Sequence, residues 1–238
     1  MNTQKNKGAM QKLGVLFILS LFLCYGCENS TEVQDSNLSV TFFSEGSLQK
    51  VQNSSLQLNE VKVLIRKLEF KSANSNDFHD IKVGPFAINI NPDGIKTDVL
   101  RSDIPPGSYE RVKFEIHKLE DFETPPDPDF KDGNSGSERY SVVVKGIFNN
   151  SPFVYKSQRT SYQELEFPTP IIIDDNMSVN LTITVSPYSW FFEDGVYLDP
   201  SDPSNESEIE MNIHLKMLSG IIIKMENLIN RYSNEKNL

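Results

Sequence analysis

The sequence predicts an all-β fold, an antiparallel β-sandwich with a short C-terminal α-helical segment. Three observations predict it. Apolar and polar residues alternate at period two along much of the chain, as at Leu38, Val40 and Phe42 or Val179, Leu181, Ile183 and Val185, the pattern of strands with one buried face. Turn signals such as Asn91-Pro92-Asp93-Gly94 separate these short runs, with each residue type in its favoured turn position. A helical pattern sets in only after residue 203.

The elements follow in chain order. Residues 1–26 read as a processing segment. Lys5, Lys7 and Lys12 precede an apolar run over residues 13–23, which is shorter than the ~20 residues a spanning helix needs. Gly26 then precedes Cys27. This resembles a bacterial lipoprotein signal, which implies cleavage before Cys27 and lipidation of its thiol. The place three before that cysteine, usually Leu in such signals, holds Cys24. Cys24 and Cys27 are the only two cysteines, so a mature chain would carry one thiol, which suits a lipid attachment point better than a disulfide scaffold. Glu28 follows it, and the absence of Asp at that place favours the outer membrane. On this reading residues 27–37 are the lipidated cysteine and a polar tether; the alternative is an ordinary secreted protein cut after Gly26.

The sandwich is expected over residues 38–203. Val61, Val63 and Ile65 are followed by Leu68 and Phe70, a change of phase that predicts a bulge or two successive strands. Strands are also expected around 81–90, 112–116, 140–144, 153–155, 165–167 and 179–185. Asn149-Asn150-Ser151-Pro152 closes a hairpin between the runs ending at 148 and starting at 153. Residues 121–138, acidic and rich in Pro and Gly, form an insertion within one domain. The C-terminal region, 204–238, is expected to hold a helix from about 204 to 218 and a second, amphipathic helix over 221–229.

The formal charge is -10, and after residue 26 there remain 20 basic and 33 acidic residues. That balance argues against a nucleic-acid partner, since phosphate binding needs a basic face. His79, His117 and His214 lie far apart, and no metal-binding, nucleophile-elbow or phosphate-loop motif occurs. The chain is therefore not read as an enzyme.

Two constellations are candidates for binding. Glu123, Asp127, Asp129 and Asp132 lie close together in the acidic loop. They either supply oxygens to a calcium ion or belong to a solvated, mobile loop. No other cofactor is indicated. Tyr188, Trp190 and Tyr197, with Phe191 and Phe192, form an aromatic cluster. They either present a platform on which a sugar stacks or plug one end of the sandwich.

The stretch Pro105-Pro106-Gly107-Ser108-Tyr109, running into an alternating strand, resembles the edge-turn-strand element of transthyretin-like and related immunoglobulin-like sandwiches. With residues 140–146, 153–157 and 198–205 it is similar to a group of Gram-negative lipoproteins, the domain of unknown function catalogued as 4382. The likeness covers roughly residues 38–217. It implies a sandwich at the cell envelope and transfers no functional residue. The expectation is a protein held at the outer membrane through Cys27, periplasmic or surface-exposed, binding a glycan or a protein. The alternative is a structural or assembly component of an outer-membrane complex, docking through its C-terminal helices.

Overall fold

The computed structural model describes residues 36–44, 55–75, 78–95, 97–133, 138–217 and 220–227. Two sheets face each other across the main core. The smaller contains β1 (Leu38–Ser44), β4 (Thr97–Ser102), β9 (Met177–Val185) and β12 (Gly220–Asn227) in the order β12-β9-β1-β4. The larger contains β2 (Leu56–Ser72), β3 (Phe78–Ile90), β5 (Gly107–Ile116), β6 (Val142–Phe148), β7 (Ser151–Ser157) and β8 (Ser161–Ile173). Its order is β7-β6-β2-β5-β8, with β3 also pairing β2. All described pairings are antiparallel except β1 with β9, which run parallel. Phe42 from one sheet meets Phe114 from the other edge to face at 5.8 Å.

β2 organises the larger sheet. Its first half pairs β6 and its second half pairs β5. The change of partner falls at Leu64, whose N–H donates to Ser141 O at 2.8 Å while its carbonyl accepts from His117 N at 3.3 Å. Just beyond, the register shifts between Ile65 and Lys67, so the phase change read in the sequence is a bulge within one long strand. Gly84 and Pro85 lie opposite it within the continuous β3, and Gly84 takes φ 109°. The β6–β7 hairpin turns on Asn149 and Asn150 at φ 48° and 67°, the twist that a two-residue loop requires. β8 carries Pro168 and Pro170, which an outer strand tolerates because one side of its ladder is unpaired.

The C-terminal region departs from expectation in one respect. One helix, α2 (Glu206–Lys216), forms near the predicted place. The stretch read as a second amphipathic helix is instead strand β12, paired with β9 from Gly220↔Thr184 to Asn227↔Met177. Three consecutive isoleucines favour the pleated geometry, where branched side chains keep their rotamers. The rest of that predicted helix lies outside the described residues. Between the sheets' end and α2, the chain forms a short helix, α1 (Pro187–Trp190), and a small hairpin of β10 (Phe192–Glu193) and β11 (Val196–Tyr197).

A second, smaller core lies on the outer face of the larger sheet. Leu64 and Val143 from the sheet meet Leu119 and Phe130 from the loop that follows β5. One of the two readings of this loop is that it is solvated and mobile, yet Phe130 is fully buried. A short 3₁₀ turn, Pro128–Phe130, delivers that ring, with the Asp127 carboxylate capping it by accepting from Asp129 N at 2.9 Å. Buried Arg139 then clamps the loop by donating to Asp132 O and Glu138 O, both at 3.1 Å.

Candidate functional site

The aromatic cluster proves to be a plug, which corrects its assignment as a ligand platform. Trp190 and Phe191 are fully buried, and Tyr188 nearly so. The Trp190 indole N–H donates to Lys216 O at 3.2 Å, fastening the end of α2. Tyr188 accepts at its hydroxyl from Leu58 N at 3.3 Å, tying α1 to the start of β2. Phe191 packs edge to face on Phe153 and Tyr155 at 6.0 and 5.6 Å. The physical reason is area: three adjacent large rings recover far more free energy inside than a stacking surface returns while it is empty. Tyr197 is partly buried against this core and meets the half-exposed Phe192 at 5.1 Å. The structure therefore separates Tyr197 from a shared platform with Tyr188 and Trp190.

The four acidic-loop residues do not form one cluster. Glu123 bonds Arg66 Nη2 at 3.1 Å and accepts from Glu120 N at 2.8 Å. Asp132 pairs with Lys156. Asp127 and Asp129 do converge, together with Glu60, but on lysine ammonium groups. Lys62 Nζ lies 2.8 Å from Glu60, 2.8 Å from Asp127 and 2.7 Å from Asp129. Lys145 Nζ lies 2.9 Å from Glu60 and 2.6 Å from Asp129. Among the described residues no group of three or more His, Cys, Asp or Glu side chains is placed to hold a metal. The ammonium of Lys62 occupies the point where these carboxylates meet.

These contacts set the loop's pH dependence. Hydrogen bonds from Lys145 and Lys62 hold Glu60 and Asp129 below their ordinary values. For Asp127 and Glu123, burial opposes the same shift and is outweighed by bonds from Lys62 or Arg66 and from backbone N–H groups. A carboxylate with a depressed folded pKa stabilises the fold above its unfolded pKa, and that contribution vanishes as pH falls through the folded value. The loop should therefore stay docked at neutral pH and loosen below the ordinary values of 3.8 for Asp and 4.5 for Glu. The protection of the Phe130 and Lys131 amides, taken relative to intrinsic exchange at each pH, should fall between neutral pH and about pH 3 more than that of β5 amides. An equal fall in both would contradict the assignment.

A polar seam joins α2 to β7 and β8. Tyr155 OH and Ser157 Oγ donate to Glu210 at 3.2 and 2.8 Å. Ser161 Oγ lies 2.6 Å from His214 Nδ1, and Gln163 Nε2 donates to both Ser161 Oγ and His214 O. The pairing of serine with histidine is a docking contact: Gln163 bonds both partners and no described carboxylate orients the ring. Burial raises the Glu210 pKa, and Glu206 adds to it, against the lowering effects of Ser157, Tyr155 and Arg159. A raised folded value means that the proton is held more tightly in the folded state. Stability from Glu210 is then largest below 4.5 and is lost as pH rises through the raised value. Glu210→Gln should raise the thermal midpoint at pH 7 and leave it nearly unchanged near pH 4. A fall of equal size at both would contradict this.

The remaining concave surface of note lies where β2 outruns β3. Here a cleft of about 310 Å³ opens beside Val61, Ile90 and Pro92, whose side chains are buried. Asn59 and Glu60 form one wall, and Asn89, Asn91 and Asp93 form the other. Asn59 is the extra residue of a second bulge, between the pairs Leu58↔Gly146 and Glu60↔Lys145. Bulges re-aim side chains in this way. The opposite wall is rigid: the turn at 91–94 has Asn91 Oδ1 accepting from Asp93 N at 2.8 Å. β1 runs from Leu38 to Ser44, and β4 begins opposite Phe42 just after this turn. The cleft thus lies toward the end of the sandwich opposite the point where the chain enters it. The sequence marks Asn91, Pro92 and Asp93 as a turn and Val61 as a strand residue but none of them as a binding residue, although the three-residue step from Leu58 to Val61 breaks the alternation and marks the bulge.

Cys27 lies outside the described residues. No described helix is long and apolar enough to cross a membrane. The chain matches no family model, no curated protein and no solved structure.

Proposed function

We propose that the protein is a lipid-anchored binding module of the bacterial cell envelope, held at the outer membrane by acyl chains on Cys27. The observation that carries this reading is the order of the N-terminal residues: positive charge, a short apolar run, Gly26-Cys27, then a polar tether leading into β1. Several acyl chains, at about 0.8 kcal/mol per buried CH₂, would give firm retention. Residues 28–35 can extend about 30 Å at most, so the sandwich stays close to the surface. Chain entry at Leu38 would place that end toward the membrane and the cleft away from it. The excess of 33 acidic over 20 basic residues after position 26 keeps such a domain off anionic lipid.

Cys27→Ala should move the protein from the membrane fraction to the soluble fraction. Undiminished membrane retention would contradict the anchor. A second reading, an assembly component, is favoured by one observation: β12 is an outer strand with Ile222 and Met225 half exposed. Outer strands can pair with a neighbouring chain. Removal of residues 219–238 would then abolish co-purification of a partner.

A further inference from the structure

We propose that the cleft between Asn59 and Asn89 is the module's ligand site, and that it takes a neutral, hydroxyl-rich ligand such as a segment of uncharged glycan. The inference rests on the reading of the protein as a binding module and adds the place and the chemistry. At about 310 Å³ the cleft suits a short saccharide segment.

Its chemistry is selective. Asn59 and Asn89 are exposed on neighbouring strands, and neither amide is engaged by another described residue. Each offers a donor NH₂ beside an acceptor oxygen, the combination that matches vicinal hydroxyls, which both donate and accept. Val61, Ile90 and Pro92 between them are buried, so recognition falls to the polar groups of the cleft.

The charges in the wall argue against an acidic ligand. Lys62 and Lys145 are the near cations, and both are held by Glu60 and Asp129. Neither is left to receive an anion, and Asp93 on the rim repels one. Glu60 in turn has one oxygen on each lysine, so it is not available as a strong site for a ligand cation. What remains for recognition is the pair of amides.

Placement supports the same use. Asn59 is presented by a bulge and Asn89 by the last turn of the β3 ladder, next to the pair Val61↔Ile90. Both therefore sit on hydrogen-bonded strands rather than on free loops, and little ordering entropy is lost on binding.

The test is binding of the full chain, purified in detergent, to neutral hexasaccharides of glucan, mannan and galactan type. A hexameric uronate and a cationic peptide serve as controls. At least one neutral hexasaccharide should bind, with an affinity that hardly changes between low and high salt. Asn59→Ala and Asn89→Ala should each weaken it about tenfold, with thermal midpoints unmoved. Val83→Ala, on exposed β3 surface away from the cleft, should bind as the parent does. Binding that survives both asparagine substitutions would overturn the site while leaving a glycan-binding module standing. Preference for the uronate or the peptide, or failure of every neutral hexasaccharide to bind, would overturn the ligand chemistry. Neither result bears on membrane anchoring, which the Cys27→Ala fractionation decides separately.

Discussion

Trp190→Ala is expected to lower the thermal midpoint by roughly 10–15 °C. Truncating a buried indole costs about 3–5 kcal/mol through lost contacts and the cavity left behind. Each kcal/mol moves the midpoint of a domain this size by about 2–4 °C. Here the loss includes the bond to Lys216 O, so α2 is released from α1 as well. Tyr188 is held by its hydrogen bond from Leu58 N and Phe191 by ring contacts with Phe153 and Tyr155, which oppose their moving in to fill the space. The protein that remains folded at low temperature should bind any ligand as the parent does. An unchanged midpoint with lost binding would place the indole at a surface and reverse the assignment.

Gly146→Ala should cost about 3 kcal/mol or more, for a different reason. A Cβ at Gly146 would lie 2.3 Å from Gln57 O and 2.8 Å from the Phe153 ring. The first obstacle is backbone and cannot turn aside; the second is a buried ring packed on Phe191. Strands β2 and β6 would have to part at the bulge that presents Asn59, and such overpacking is destabilising. Binding in the cleft should weaken along with stability. Gly107→Ala is the control, because the nearest atoms there stand 3.5 Å away, an ordinary contact. It should change stability by less than about 1 kcal/mol. If Gly146→Ala were as mild as Gly107→Ala, the close approach would be wrong.

Much of the sandwich is legible in local pattern. Leu38, Val40 and Phe42, or Val179 through Val185, alternate because one face of each strand is buried and the other is not. The phase change at Arg66-Lys67 and the turn at Asn149-Asn150 are likewise local, and both appear where the pattern places them. The C-terminal strand was misread because Ile221, Ile222, Met225 and Leu228 also satisfy a helical spacing, and short apolar runs carry both periods. In α2 the pattern is blurred: Asn212 is buried while Met211 and Leu215 face outward.

The site residues were less legible because their partners are remote in sequence. Lys62 meets Asp129 across 67 positions, and Ser161 meets His214 across 53. An acidic loop read alone invites an external cation. Folding brings β2 and β6 beneath it, and their lysines take that place. The aromatic cluster shows the same limit: Tyr188 and Trp190 look like a platform until β2, β7 and α2 close around them. The cleft depends on a bulge and on the different lengths of two strands, and only the bulge leaves a mark in the alternation.

The proposed anchor and the proposed ligand cleft would tie the module down at one end and leave it open at the other. The anchoring claim is tested most directly by the intact mass of the protein extracted from bacterial membranes. The account predicts a chain beginning at Cys27, heavier than residues 27–238 by a diacylglyceryl group, with or without a further N-acyl chain. A mature chain beginning at residue 27 with a free thiol, or one that still retains residues 1–26, would contradict it.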